Sequence, residues 1–391
     1  MAFFQYLHLE LTEAILDYVD SDTLQSTLLV ARFLRFPSEK KLYLRVSLSD
    51  SSTVEGLVQR QVSFLSTVLH NDRLAQCVVK LLMGGCVPIQ EGDPRINSIL
   101  GPSMKKMVNL KQLEVFGYPF IIHAHLDSVP FSLAHLVISG EKNVEDEDQD
   151  RDRDLPILSI LRAHPNLEEL SLLFPALPPD LVQVLQSEQT RAIVSEEGII
   201  CAHLKRFDGY DDGLRLFLPT RMIEGVMATG SGVGNIGNDN LAEVWLTPPL
   251  IQSYQYLRVL EVWPDRQKDT CFLSTIASYL TSLTHLQIVD SPLKRITADT
   301  ELVLTLERIP TLKSVTFTAL LEEDWVPEAT VQQRVELVCS ACPEVTDIFV
   351  GSGEDPAEVM YHQYTKGVGF RIPLVGSEVA CRQYAKWVHE P

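Results

Sequence analysis

Long apolar runs are missing from this sequence of 391 residues. No uninterrupted run of about 18 apolar residues, the length that a membrane-spanning helix needs, is visible. The first residues carry no basic region, and Glu10 and Glu13 break any apolar segment there, so we expect no secretory signal peptide. A membrane is therefore not an expected partner.

Cysteine is also scarce, because the chain has only seven, at dispersed positions and in an odd number. Small disulfide-stapled secreted domains instead carry an even set of cysteines at close spacing. We expect reduced thiols and an intracellular protein, cytoplasmic or nuclear.

Positive charge is in deficit, since 33 Lys and Arg stand against 52 Asp and Glu, a formal net charge of -19. No cluster of Lys and Arg is visible along the sequence. An acidic surface repels phosphate backbones and anionic lipid heads, so nucleic acid is not an expected partner either.

The common catalytic signatures are absent: the sequence has no P-loop, no G-x-S-x-G and no HExxH. Gly232–Gly237 spells G-x-G-x-x-G but lacks the preceding strand and following helix of a dinucleotide site, so a loop is expected. His123 and His125 lack a third metal ligand, and Cys339 and Cys342 lack a second pair. We predict no catalytic residue, metal or cofactor. A hydrolase or oxidoreductase that used these histidines or this glycine loop is the enzyme alternative.

What is present begins with an amphipathic amino-terminal segment. Leu11, Ile15 and Val19 stand four residues apart, which is helical spacing. Asp22 and Gln25 are placed for a capping box, so a second helix is expected to start there.

A third helix and a strand complete this segment. Pro37 is expected to end the second helix and to open a short third helix through residues 38–44. Val46 and Leu48 alternate with polar neighbours, which predicts a strand. A bundle this small buries little apolar surface by itself, so it must pack against the rest of the chain or against another protein.

This segment resembles an F-box. Its matching residues are Leu7, Glu10, Leu11, Ile15, Leu16, Leu24, Val30, Leu42 and Tyr43, while His8 stands where that family usually has proline. The resemblance implies docking to a Skp-type adaptor and, through it, to a cullin. The adaptor-binding residues that it implies are Leu7, Leu9, Leu11, Ile15, Leu16, Leu24 and Tyr43.

Downstream, an apolar frame L-x-x-L-x-L recurs every 23 to 37 residues over most of the chain. Its copies are Val78/Leu81/Met83, Leu110/Leu113/Val115, Leu133/Leu136/Ile138, Leu167/Leu170/Leu172, Leu257/Leu260/Val262, Leu283/Leu286/Ile288, Leu312/Val315/Phe317 and Val345/Ile348/Val350. Weaker copies are Leu204/Phe207 and Leu241/Val244/Leu246. Segments of helical period separate them.

A strand and a helix that repeat at this interval are typical of a leucine-rich-repeat solenoid, in which each unit buries its apolar face against its neighbours. The pattern resembles the irregular repeats of F-box/leucine-rich-repeat proteins, notably fungal ones. We therefore predict an α/β chain with a three-helix F-box-like bundle followed by an irregular leucine-rich-repeat solenoid. A doubly wound α/β sheet is the alternative.

The domain boundaries follow from these patterns. We predict an F-box-like domain at 1–50, the solenoid at 51–350 and a capping segment at 351–391, with a terminal helix through Ala380, Tyr384 and Trp387. The acidic run 145–154 is expected to be a solvated insertion. The glycine-rich stretch 225–237 is expected to be a flexible loop.

In such a repeat, the residues that flank the frame leucines point to one face of the sheet. The candidate substrate-binding residues on it are Glu114, Phe116, Glu169, Glu261, Trp263, His285 and Phe349. Aromatic anchors among carboxylates suit a protein partner with a basic surface. The family resemblance implies a non-catalytic substrate receptor of a Skp–cullin–F-box ubiquitin ligase. The alternative is an interaction scaffold outside ubiquitin transfer, with the bundle as the cap of the solenoid.

Overall fold

A computed structural model describes most of the chain. The described residues are 9–16, 18–19, 21–30, 32–49, 53–84, 93–116, 126, 129–139, 157–173, 177–191, 199–228, 245–262, 270–289, 300–319, 328–352 and 360–375. They belong to two compact units, Met1–Gln183 with Gly198–His203 and Val184–Glu197 with Leu204–Pro391.

The first unit opens with three helices and a strand. These are α1 (Leu9–Leu16), α2 (Ser21–Val30), α3 (Arg32–Leu44) and β1 (Arg45–Leu48). The expected strand is confirmed, but the expected role of Pro37 is wrong. Pro37 lies inside α3 rather than at its start, and its missing N–H costs the helix a single backbone bond. The local packing offsets this loss, because Pro37 and Ser38 are buried and the Ser38 hydroxyl lies 2.8 Å from that of Thr27.

The remaining elements of the first unit alternate between helices and strands. They are α4 (Val54–His70), α5 (Asp72–Ala75), β2 (Lys80–Gly84), α6 (Pro94–Lys106), β3 (Gln112–Phe116), β4 (His135–Ser139), α7 (Ile157–Ala163), β5 (Glu169–Leu173) and α8 (Pro179–Arg191), the last of which continues into the second unit. Local chemistry sets the helix starts. The Thr53 hydroxyl accepts a hydrogen bond from the Gly56 amide at 3.2 Å, and Asp93 caps α6 just before Pro94.

The strands β1 to β5 pair in parallel and in chain order wherever their pairing is described. The register aligns the frame residues Leu81, Leu113, Leu136 and Leu170, all of which are buried. One face of the sheet is therefore a continuous apolar row, as stacked repeats require.

The second unit follows the same pattern. Its elements are β6 (Arg206–Gly209), α9 (Asp211–Phe217), a 3-10 turn (Leu218–Thr220), β7 (Gly225–Ala228), α10 (Pro248–Tyr254), β8 (Val259–Val262), α11 (Thr270–Ile276) with a 3-10 extension (Ala277–Tyr279), β9 (His285–Val289), α12 (Thr300–Leu306), β10 (Ser314–Ala319), α13 (Glu328–Ala341), β11 (Asp347–Ser352), β12 (Met360–Thr365) and β13 (Gly369–Val375). β6 to β11 are parallel in chain order. β11, β12 and β13 then pair antiparallel.

Both units are thus mixed α/β with parallel strands in chain order, consistent with leucine-rich-repeat-like architecture. Neither shows, in its described strands, the reversal of strand order on which a doubly wound sheet is built. Every strong copy of the frame lies on a strand or directly before one. Of the weaker copy Leu204/Phe207, Phe207 lies on β6 and Leu204 lies just before it. The repeat prediction is confirmed at this level.

One strand was missed by the sequence pattern. Residues 225–228, expected to belong to a flexible loop, form β7 between β6 and β8. Ile223, Val226 and Ala228 are buried, so a weak frame is completed by a small residue in place of leucine. Of the other weak copy, Leu246 lies outside any strand and the rest falls outside the described residues.

Several predictions concern residues that the structure does not describe. They are the acidic run 145–154, the glycine motif 232–237, His123, His125 and the terminal helix 380–387. The division at residues 50 and 350 stays a prediction. None of the described helices combines the length and the apolar character needed to cross a bilayer.

Candidate protein-docking surfaces

The first candidate surface is an apolar patch on α1. Leu11 and Ile15, one helical turn apart, are 52% and 45% exposed, and Tyr18 just beyond the helix is 93% exposed. We call these three residues the α1 patch. Large side chains this exposed on one side of a helix are typical of an interaction surface.

The opposite side of α1 belongs to the core of the bundle. Thr12 and Leu16 are buried, as is Leu24 on α2. Because α1 packs against α3 through this buried side, the patch is a second apolar side of the same helix. The sequence predicts an apolar helix, but the fold decides which side is buried.

A buried carboxylate adds a contact between the bundle and the first repeat, besides the pairing of β1 with β2. Glu39 on α3 accepts a hydrogen bond from Arg35 Nε at 3.0 Å and pairs with Arg73 on α5. The Arg73 guanidinium carbon lies 5.4 Å from the ring centre of Phe36. Glu39 is buried while Arg73 is 46% exposed, so water screens part of their attraction, and the ion pair is one of the contacts between α3 and α5.

The predicted adaptor-binding residues occupy different environments. Leu11 and Ile15 are exposed, Leu16 and Leu24 are buried, and Tyr43 is half-buried and stacked on Phe64 with ring centres 6.1 Å apart. Leu7 lies outside the described residues, and Leu9 is described only as part of α1. Tyr18 was not among them, although its extreme exposure makes it the most accessible residue of the patch.

The second candidate surface is the side of the sheet opposite the frame residues, whose residues we call face positions. In β2 to β5 most of them are half-exposed, and four carry a ladder of charged or titratable groups. Lys80 pairs with Glu114, whose Oε1 lies 3.9 Å from His135 Nε2, and His135 Nδ1 lies 2.6 Å from Glu169 Oε2. The register brings the predicted Glu114, Phe116 and Glu169 onto one side of the sheet together with His135.

In the second unit the face positions change character along the sheet. Glu261 and His285 are half-exposed, whereas Phe349 is only 3% exposed. Trp263 lies outside the described residues. Ser314, Thr316 and Thr318 on β10 and Asp347 on β11 are buried, so this part of the sheet is covered on both sides.

Asp347 holds a polar network on this buried side. It accepts hydrogen bonds from the hydroxyls of Thr346 and Thr365 at 3.0 Å and from the Gln363 amide at 3.3 Å. Such donors satisfy a carboxylate that burial would otherwise penalise. The network ties β12 to β11 and is structural.

The C-x-x-C pair lies at the end of α13. Burial raises the pKa of the Cys342 thiol to about 11, and the Cys342 Sγ donates to the Leu306 carbonyl at 3.3 Å. A reactive or metal-binding cysteine needs a lowered pKa, so this thiol is an inert packing residue. Among the described residues no group of three or more His, Cys, Asp and Glu is arranged to hold a metal ion.

No protein-family model and no curated protein matches the chain. Among solved structures, it is similar to the leucine-rich repeat-containing protein LegL7 from Legionella pneumophila, with 12% sequence identity and a TM-score of 0.41. That alignment covers 79% of this chain and 90% of the other. The architecture given above comes from the strand pairing of this chain itself.

Proposed function

We propose that this chain is a non-catalytic substrate receptor of a Skp–cullin–F-box type ubiquitin ligase. The α1 patch docks to the Skp-type adaptor, and the open strand face of β2 to β5 binds a protein substrate. The chemistry lies on other subunits, so this chain contributes proximity and orientation.

The exposure of the α1 patch carries the proposal. A cap would turn its apolar residues towards the repeats, whereas Leu11 and Ile15 face solvent at the positions where the F-box resemblance expects adaptor contacts. Because each side chain is already about half shielded, burying its exposed half in an interface stabilises the complex by roughly 0.7–1.5 kcal/mol.

Substrate binding is supported by the chemistry of the open face. Glu114 and Glu169 are partly shielded carboxylates on the same side of the sheet as Phe116, a combination suited to a protein partner with basic side chains. The Glu39–Arg73 contact holds the bundle on the repeats, so adaptor and substrate are held in a fixed relation by the first unit.

The second candidate is an interaction scaffold outside ubiquitin transfer, with the bundle as a cap. The burial of Leu16 and Leu24 and the anchoring of Glu39 favour it, since a cap needs both. The two candidates differ in whether the α1 patch binds anything.

Calorimetry of the purified chain with a Skp-type adaptor tests the proposal. The variant Leu11→Asp/Ile15→Asp should lose at least about 100-fold in affinity, because two charges enter an apolar interface. The matched control is Leu304→Asp, since Leu304 on α12 is also a helical leucine and is 50% exposed. It should bind like the wild type.

Circular dichroism and thermal unfolding must show that each variant is folded. Absence of binding by a well-folded wild-type chain would overturn the ligase proposal and leave the scaffold. Equal losses in the double variant and in Leu304→Asp would show that the patch is not the contact.

A further inference from the structure

The open strand face of the first unit contains a hydrogen-bond acceptor without a donor. His135 Nδ1 lies 2.6 Å from Glu169 Oε2, and an ionised carboxylate only accepts, so Nδ1 carries the proton of this bond. In the neutral ring, Nε2 is then an acceptor. Nε2 is buried and has no hydrogen-bond partner within the part of the chain that the structure describes. Because buried polar atoms normally have partners, this atom marks a place where a bound donor would be stabilised.

A second acceptor lies beside it. Glu114 Oε1, on the neighbouring strand β3, is 3.9 Å from His135 Nε2, which is too far for a hydrogen bond between the two atoms. Both atoms are acceptors when the ring is neutral, so neither satisfies the other. A group with two N–H donors placed against this pair of atoms would satisfy both.

Lys80 of β2 holds the carboxylate in the free chain. Its ammonium contacts the same Oε1 atom of Glu114, and the lysine is the more exposed partner, at 33% against 14% for Glu114. The ammonium leaves His135 Nε2 without a donor, so it serves one acceptor of the two. An ion pair in contact with water is weak, and a better-fitting cation can therefore displace the lysine.

Arginine is the side chain that fits both acceptors. Its planar guanidinium carries five N–H donors, two of which can point in parallel at neighbouring acceptors, whereas the ammonium of lysine is a point charge. Phe116 is the next residue on the same side of β3 as Glu114, and guanidinium groups stack on aromatic rings. The ladder also has two carboxylates and one lysine, which favours an added cation.

We propose that the open strand face binds an arginine side chain of the protein substrate at Glu114 and His135, in exchange for Lys80. The inference rests on the proposed function, since it names the side chain that the substrate presents to this face. Because Nε2 is buried in the free chain, the guanidinium reaches it by taking the place of the ammonium next to Glu114 Oε1. Lys80 is thus an internal competitor that disfavours cations able to bind only the carboxylate.

The test titrates the full chain with a peptide of about nine glycine and serine residues that has one central arginine. Matched peptides carry lysine or the uncharged citrulline at that place. NMR gives the dissociation constants, with the ring nitrogens of His135 as the local readout. The arginine peptide should bind about fivefold more tightly than the lysine peptide, because lysine serves only one acceptor. The citrulline peptide should bind more weakly than both.

Variants of the chain test the exchange. Lys80→Met should tighten binding of the arginine peptide about threefold, because the competitor is gone. The matched control is Lys105→Met, which removes the same charge at an exposed position on α6 and should leave the affinity unchanged. Glu114→Gln should weaken binding about tenfold, and adding Lys80→Met to it should give no gain. Thermal unfolding must show that each variant is folded.

The outcomes keep this inference apart from the proposed function. Equal affinity for the arginine and lysine peptides, or equal gains in Lys80→Met and Lys105→Met, would overturn the exchange. Absence of arginine-peptide binding by the folded wild type and by Lys80→Met would overturn it as well, while leaving adaptor docking unaffected. If the arginine peptide binds as expected and the adaptor does not, the exchange stands and the ligase proposal falls.

Discussion

The face positions of β2 to β5 and those of β10 to β12 occupy the same place in the repeat but meet different surroundings. In the first set, charged and titratable side chains form a half-exposed ladder from Lys80 to Glu169. In the second set, hydroxyl, amide and carboxylate groups are buried, and the ring of Phe349 is buried as well. The frame residues set the strand, while the residues between them decide whether its other side stays open to solvent or is covered.

The largest expected difference is between two phenylalanines at face positions. Phe349→Ala should lower the free energy of unfolding by about 3–5 kcal/mol, because it leaves a cavity in a covered layer. Phe116→Ala on the half-exposed face should cost less than about 1.5 kcal/mol. Urea denaturation measures both, and similar losses would mean that the two faces are equally buried in solution.

Two carboxylates give the next largest contrast. Asp347→Ala should cost about 2–3 kcal/mol, since it removes a buried acceptor that the Gln363 amide and the Thr365 hydroxyl share. Glu169→Ala should cost less than about 1 kcal/mol, because water can replace it at the open face. Chemical denaturation measures the free energy of unfolding of both variants. A larger loss of stability in Glu169→Ala than in Asp347→Ala would contradict the comparison.

A buried histidine of the first unit extends the comparison to the pH dependence of stability. His164 is buried, its Nδ1 accepts a hydrogen bond from the Leu133 amide at 3.3 Å, and burial lowers its pKa. The unfolded chain therefore binds more protons than the folded chain below about pH 6.5, so stability should fall as the solution is acidified.

The slope from His164 is at most about 1.4 kcal/mol per pH unit. Unfolding measured between about pH 7.5 and 5.5 should show this contribution in the wild type and not in His164→Asn. The exposed His203→Asn variant is the control and should keep the wild-type slope. An unchanged slope in His164→Asn would show that His164 is not the group responsible.

The smallest effect is expected within the open ladder. A double-mutant cycle with Lys80→Met and Glu114→Gln should give a coupling of about 0.2–1 kcal/mol that decreases with added salt. Both side chains keep some contact with water, which screens their attraction. A coupling free energy well above that range would show that the Lys80–Glu114 pair is shielded from water, as the groups around Asp347 are, and would contradict an open face.

The repeat was the most predictable part of the molecule. Apolar residues at fixed spacing determine the strands, because each repeat must bury the same positions against its neighbours. The frame failed at β7, where alanine and valine take the place of leucine and glycines suggest a loop. The sequence also did not predict that Pro37 would lie inside a helix, because the packing around Ser38 that offsets the lost backbone bond is a tertiary contact.

The candidate surfaces were less predictable, because exposure is a property of the assembled chain. The spacing of Leu11 and Ile15 determined that they share one side of a helix, but only the packing of Thr12 and Leu16 left that side in solvent. Local composition fixed the strands, the helices and the sign of the charge of each segment, whereas tertiary structure decided which side chains meet each other and which meet water.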